Sequence, residues 1–351
     1  MAIETRRQVL RGLAMGLGVS WCRGALGQPA ERAAYVGVET SAETGLSRAS
    51  FFSTSGARLG QAPLDFRAHG MAEHGRRLAV FPRQPGDRFA LVDTETLEIR
   101  SVVTAPADRH FFGHGAFTRD GQHLLVTEND LETLQGGIGV YDTAGPMRRI
   151  GQIALPGPGP HEIARQPDRD IFHIALGGLE THPAYGRTPL NLHAFRSQIV
   201  TLDFDRGALN QLGHWAGTEG ISLRHLAMDH RGRLYIGGQI KSAERAAGEA
   251  VLWLVENDRV ERLEPDASLG GYVSSVSAHG AQALVSSKET GLALRLDGPR
   301  TVEVQRLDGA GAVALGPGLC AASGFRLLDL NGARVEALPR HEFDNHGLAM
   351  G

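Results

Sequence analysis

Cysteine is almost missing from this chain: 351 residues hold only Cys22 and Cys320. A disulfide framework is therefore excluded as the source of stability, the more so if the segment holding Cys22 is removed. Cys320 reads as a small apolar residue of a strand core. Long apolar runs are lacking too, and none approaches the roughly 20 residues that span a bilayer as a helix. Positive charge is not in excess, the formal net charge being −3. That balance argues against nucleic acid as a partner, because phosphates need basic patches. Helical periodicity is absent over any length. Also absent are the Gly-x-Ser-x-Gly elbow, the phosphate loop, His-Glu-x-x-His and Cys-x-x-Cys-His, and lack of the last excludes covalently attached haem.

The features that are present begin at the N-terminus. Thr5-Arg6-Arg7-Gln8-Val9-Leu10 sets two arginines ahead of a hydrophobic position and a leucine, and an apolar Gly/Ala-rich stretch runs from Gly12 to Val19. Ala25-Leu26-Gly27 offers the small residues that a signal peptidase needs. Residues 1–27 are therefore expected to be a twin-arginine signal peptide. Residues 28–351 are expected to be a single domain, delivered already folded to a Gram-negative periplasm, with no membrane span in the mature chain. Trp21 is the wrong size to precede a lipid-bearing Cys22. Loss of Arg6, Arg7, Arg11 and Arg23 with Glu4 takes the net charge to roughly −6.

Glycine is abundant, 46 of 351 residues, as turn-rich all-β chains require. One kind of strand recurs about every 47 residues, within the range of propeller blades: Tyr35–Glu39, Arg77–Phe81, His123–Glu128, Asp170–Leu176, Arg233–Gly237, Ala281–Ser286 and Gly318–Ala322. Tight turns such as Asp120-Gly121, Arg231-Gly232 and His279-Gly280 precede several of them. Polar endings such as Val92-Asp93, Tyr141-Asp142 and Leu202-Asp203 follow the next strand. The C-terminal Asn345-His346-Gly347-Leu348-Ala349 nearly copies His69-Gly70-Met71-Ala72. The pattern predicts an all-β, seven-bladed β-propeller closed by the C-terminal strand joining the N-terminal blade. Closure removes the free sheet edge and so stabilises the fold without disulfides.

Strand alternation places the inner-strand entries and the insertions Pro82–Arg88, Asn129–Gly137, Gly177–Gln198 and Gly238–Glu249 on one face. Five inner strands are expected to begin with histidine: His69, His114, His161, His225 and His346. Neutral imidazole is the commonest ligand for iron, copper and zinc, so these five are candidate metal ligands, with iron or copper the expected ion. His110 and Glu128 are candidate contributors. The competing reading is a structural hydrogen-bond network within each blade. Further site candidates on this face are Arg109, Asn129, Glu180, His182, Arg187, Asn191, Arg224, Gln239 and Lys288. The insertion carrying Glu180, His182, Arg187 and Asn191 reads either as a self-packed surface loop or as a lid with Arg187 for an anionic group. No catalytic residue is identified.

Arg109-His110-Phe111-Phe112-Gly113-His114-Gly115, Thr127-Glu128-Asn129-Asp130, Ile138-Gly139-Val140-Tyr141-Asp142, Gly159-Pro160-His161-Glu162, Gly177-Gly178-Leu179-Glu180-Thr181-His182-Pro183 and Arg224-His225-Leu226-Ala227 together resemble the twin-arginine-exported domain-of-unknown-function family 1513. The resemblance implies a periplasmic role around iron, beside imelysin-type and haem-containing (dihaem peroxidase-like) proteins, without an activity to carry over. Val276 and Val313 occupy two inner-strand starts, so a ring of seven histidines is excluded. The leading expectation is a metal-binding protein of iron acquisition or redox chemistry. Its alternatives are a non-catalytic scaffold for periplasmic partners and a lactonase-type propeller hydrolase.

Overall fold

In a computed structural model, the structure describes residues 32–351 except 214, 216–217, 243, 246–247, 308, 317–318, 324–325, 330–334 and 338–340; the side chains of 319–323, 326–329, 335–337 and 341–342 are also left aside. The export motif Arg6-Arg7 and Cys22 lie outside the described residues, as does the side chain of Cys320.

Short strands joined by tight turns pair with their chain neighbours, and the described residues form seven four-stranded antiparallel sheets. The second blade is Ala68–His74, Arg77–Pro82, Arg88–Asp93 and Ile99–Thr104; the third is Arg109–Phe117, His123–Asp130, Gly136–Asp142 and Arg148–Ala154. The fourth is Pro160–Arg165, Ile171–Leu176, Gln198–Asp203 and Ala208–Gln211; the fifth is Ile221–Met228, Leu234–Ile240, Leu252–Glu256 and Arg259–Leu263. Ser275–His279, Gln282–Ser287, Leu292–Asp297 and Arg300–Arg306 make the sixth. The first blade is composite. Tyr35–Ser41, Ser47–Phe52 and Arg58–Pro63 take their inner strand from the other end of the chain, His341–Ala349, which pairs antiparallel with Tyr35–Ser41.

Ala312–Gly316, Leu319–Ser323, Arg326–Asp329 and Val335–Ala337 make the remaining sheet. Each inner strand packs against the next around the axis, from Ala68–His74 through to Ala312–Gly316 against His341–Ala349. No helix among the described residues is long and apolar enough to cross a membrane.

The position of a strand in its blade explains its residues. Second strands lie between neighbouring blades and are buried on both faces, as in Leu78-Ala79-Val80-Phe81. Outermost strands such as Arg148–Ala154 and Arg300–Arg306 alternate exposed and half-buried positions, the period of a one-sided strand. The recurring aspartates have a local cause. Asp93 accepts from the N–H groups of Glu95 and Thr96, and Asp130 from those of Glu132 and Thr133, so each carboxylate closes its own turn. Aromatic side chains fill the space between blades: Phe89 meets Phe81, Phe111 and Tyr141 with ring centroids 5.1–5.6 Å apart. Across the composite blade, Phe343 packs on Tyr35 and Phe52 at 6.5 and 6.0 Å.

Phe343 thus fastens the C-terminal strand to the N-terminal one. Phe343→Ala is expected to destabilise the protein by about 3–5 kcal/mol, the usual cost of emptying a buried aromatic site. Denaturant unfolding followed by tryptophan fluorescence measures it, and a change below 1 kcal/mol contradicts the role given to this contact.

Candidate functional site

The five histidines converge on the axis through a repeated irregularity of the inner strands. In Ala68–His74 the ladder skips His69-Gly70, in Arg109–Phe117 it skips Phe112-Gly113-His114, and in Pro160–Arg165 it skips His161. Arg224 is skipped just before His225, and Asp344-Asn345-His346 in the C-terminal strand. Each skipped stretch is a β-bulge, which re-aims side chains that strict alternation would turn into the blade. The inner strands Ser275–His279, whose one histidine is its exposed last residue, and Ala312–Gly316 pair with their neighbours without any shift. This corrects the expectation that the histidines begin their strands. His114, His225 and His346 lie well inside theirs, at or beside the bulge.

Backbone groups freed by the bulges find side-chain partners. Thr127 Oγ1 accepts from the His114 N–H (3.2 Å) and donates to the His114 carbonyl (3.0 Å), and Ser197 Oγ accepts from the Leu223 N–H. Gly70 is required by close approach, since a Cβ there would lie 2.4 Å from the Gly113 carbonyl oxygen.

All five imidazoles are buried, His225 completely. Ring centroids of His69 and His114 each lie 4.5 Å from that of His346, and those of His161 and His346 lie 4.9 and 5.0 Å from that of His225. Nitrogens of His69, His114 and His346 fall within 4.8 Å of one another, as do the ligand atoms of Glu162, His225 and His346. Burial, the largest cause, lowers the pKa of every one; repulsion from neighbouring imidazoles or from Arg224 adds to it for His114, His161, His225 and His346. They are therefore neutral at pH 7 and carry a lone pair each.

Two carboxylates that the sequence reading missed fix the ring orientations. Asp344 Oδ1 lies 2.5 Å from His69 Nδ1, and Asp344 Oδ2 accepts from Arg83 at 2.6 Å. Burial pushes the Asp344 carboxyl up, but His69, Arg83 and the Asn345 N–H together hold it well below the usual carboxylate range. His69 Nδ1 is thus the donor and its Nε2 is unprotonated. Glu162 Oε2 accepts from the Leu226 N–H and stands 3.2 Å from His225 Nδ1, and Oε1 is 3.7 Å from His114 Nδ1. Burial raises the Glu162 pKa to about 8. One proton is therefore shared between Glu162 Oε2 and His225 Nδ1. The buried Nε2 atoms of His114, His225 and His346 have no hydrogen-bond partner. His161 differs: its Nε2 accepts from Arg224 Nη1 at 3.1 Å, which leaves the proton on Nδ1.

The other candidates fall elsewhere. Glu128 is buried within its blade, accepting from Tyr141 Oη at 3.0 Å and Arg149 at 2.7 Å, so it does not reach the axis. His110 also stays outside the cluster, with Nδ1 3.2 Å from the Phe111 carbonyl oxygen; its ladder partner Asn129 is buried with both amide atoms unpartnered. Arg109 pairs with Asp130 at 3.2 Å. His182 caps the short helix Pro183–Tyr185 by accepting from the Ala184 N–H. Asn191 accepts from the Glu180 N–H and donates to the Gly178 carbonyl, so this insertion is tied to itself. Its Arg187, with Arg224 and Lys241, lines a cavity beside His161. Gln239 pairs through its backbone with Ser222 and Tyr272. Lys288 lines a separate depression with Arg67, Arg83 and Asp344. Asp344 and Glu162 had a visible signal, an acidic residue one or two places from an inner-strand histidine.

The chain matches the family described as protein of unknown function (DUF1513) over residues 62–350 and belongs to it. No curated protein sequence matches it. Its fold is similar to that of hydrazine synthase from Kuenenia stuttgartiensis, with a TM-score of 0.62 at 15% identity over 90% of this chain and 99% of that one. It is also similar to the RRP9 WD40 repeats, with a TM-score of 0.58 at 13% identity over 82% and 87%. At these identities the likeness is one of fold alone, a β-propeller.

A buried histidine outside the cluster sets the standard of a satisfied imidazole. On the second strand of the fourth blade, His173 has Nδ1 3.0 Å from Thr201 Oγ1 and Nε2 3.2 Å from Gln166 Nε2. Burial lowers its pKa to about 4. The unfolded chain therefore binds the extra proton between about pH 6.5 and 4, and the contribution of His173 to stability is lost as pH falls through that window. The loss amounts to up to roughly 3 kcal/mol. His173→Gln is expected to narrow the stability difference between pH 7 and pH 4.5 relative to wild type. Urea unfolding at the two pH values measures it, and equal differences in the two proteins contradict it.

Proposed function

We propose that this protein is a periplasmic metal-binding propeller whose axial histidines hold one transition-metal ion, iron or copper, in the service of iron acquisition or a related redox step. The observation that carries the reading is the group of buried, unpartnered Nε2 atoms on His114, His225 and His346. Each such orphan costs about 1–3 kcal/mol, and a cation in either of the two ligand groups would take up two of them. His69, His114 and His346 form one ligand trio, and Glu162 joins His225 and His346 in a second that shares His346.

A nitrogen-rich donor set with one carboxylate suits iron, copper or zinc. It also weighs against a lactonase-type hydrolase, whose calcium site takes oxygen ligands. Asp344 behind His69 is the carboxylate–histidine support usual at metal sites. The ion supplies Lewis acidity or a redox couple, while the chain's own residues orient the rings and keep them neutral. The Arg6-Arg7 motif supports loading before export, and the family resemblance supports imelysin-type or haem-containing partners. A scaffold role toward such partners is favoured by exposed apolar residues on outermost strands, Val102, Ile150, Val302 and Val304 among them.

Metal analysis of protein purified from the periplasm is expected to find about one iron or copper per chain. His114→Ala and His346→Ala are expected to lower the content at least tenfold. His161→Ala leaves it near the wild-type value, because His161 is engaged by Arg224. Wild type that carries no stoichiometric metal, and takes up neither iron, copper nor zinc on reconstitution, overturns the proposal.

A further inference from the structure

We propose that the cavity beside His161 is a binding site for a small, doubly charged oxyanion, held by Arg187, Arg224 and Lys241. The cavity measures about 70 Å³ and is lined by these three cations with the hydroxyl groups of Thr181 and Ser222. Among the described residues no carboxylate lines it. That contrasts with the acidic balance of the whole chain, −3, and with the neighbouring group of Arg67, Arg83 and Lys288, where Asp344 already answers the positive charge.

Each cation is left short of partners. Arg224 is only 8% exposed and gives Nη1 to His161, yet its Nε is buried with no acceptor. Among the described residues, the side chains of Arg187 and Lys241 make no hydrogen bond or close ion pair, Glu289 acting on Lys241 only through its charge. Burial and then mutual repulsion with Arg224 bring Lys241 down to about 8, and burial followed by Arg83 and Arg224 brings Arg187 to about 10. The three resist one another's charge, and an anion between them reverses the sign of that interaction. Two guanidinium groups present paired N–H donors that match the oxygens of a carboxylate, phosphate or sulfate, and Lys241 adds a point charge. The volume holds a group of a few water molecules' size, so a nucleotide is too large. None of the three cations belongs to the metal ligand set, and the site does not require an ion on the axis.

The test is calorimetry on the metal-free mature chain, titrated separately with inorganic phosphate, sulfate and oxalate at constant ionic strength. Saturable one-to-one binding of at least one is expected. Arg187→Ala and Lys241→Gln are each expected to weaken it about tenfold and together about a hundredfold, consistent with one charge-assisted contact per tenfold step. Arg206→Ala, in a different cavity, serves as the control and leaves the affinity unchanged. Preference for oxalate marks a planar carboxylate ligand, and preference for phosphate or sulfate a tetrahedral one. Folded wild type that binds none of the three, or variants at Arg187 and Lys241 that bind as wild type does, overturns the proposal. Metal content measured on the same variants separates this result from the fate of the histidine site.

Discussion

Five inner strands carry more residues than their neighbours can pair, and the chemistry of the axis follows from that misfit. A regular inner strand turns alternate side chains into the two blade interfaces, where the sheet packs on its neighbours. A bulge lets consecutive residues leave that alternation, so that Asp344, Asn345 and His346, or His161 and then Glu162, all sit where one strand position would serve. Ser275–His279 and Ala312–Gly316 have no bulge, and the one histidine between them, His279, is an exposed terminal residue. The correspondence ties the site to the backbone rather than to the side chains alone. The bulge costs ladder hydrogen bonds, and Thr127 and Ser197 supply replacements from adjoining strands.

Electrostatics then divides the axis into two layers. Below the mouth the imidazoles are neutral because burial disfavours their charge, and the one strongly ionised carboxylate among them, Asp344, is spent on His69 and Arg83. Beside His161 stand Arg187, Arg224 and Lys241, in a cavity that no described carboxylate lines. A neutral donor set selects a cation, and a cationic cavity selects an anion, so the two layers suit opposite ligands within one channel. Arg224 joins them, because its guanidinium faces the cavity while Nη1 holds His161. That contact also explains why His161, though central, is chemically unlike the other four.

The propeller was legible because strands of this kind advertise themselves locally. Turn glycines such as Gly121 and Gly232 do sit at positive φ, and the aspartates at strand ends close turns through their own backbone neighbours. Those are effects of a few residues, so the sequence carries them openly. The convergence of the five histidines was legible too, because the repeat places them at equivalent points. Their bulges were not, since a register shift depends on the partner strand and leaves no mark in one strand's alternation. Glu128 was misread for a related reason. Its sequence setting beside Asn129 and Asp130 suggests the functional face, but the pleat turns it toward Tyr141 and Arg149.

Loop residues illustrate the same limit from the other side. Glu180, His182 and Asn191 look functional between glycines, yet they hold the insertion together: a side-chain cap, an amide clamp and a shared N–H. A polar side chain within a long connection has first to satisfy that connection's own backbone, which leaves sheet partners behind when it departs from the blade. What remains after those bonds are assigned is Arg187, which has none. The same loop carries it to the cavity that it lines with Arg224 and Lys241.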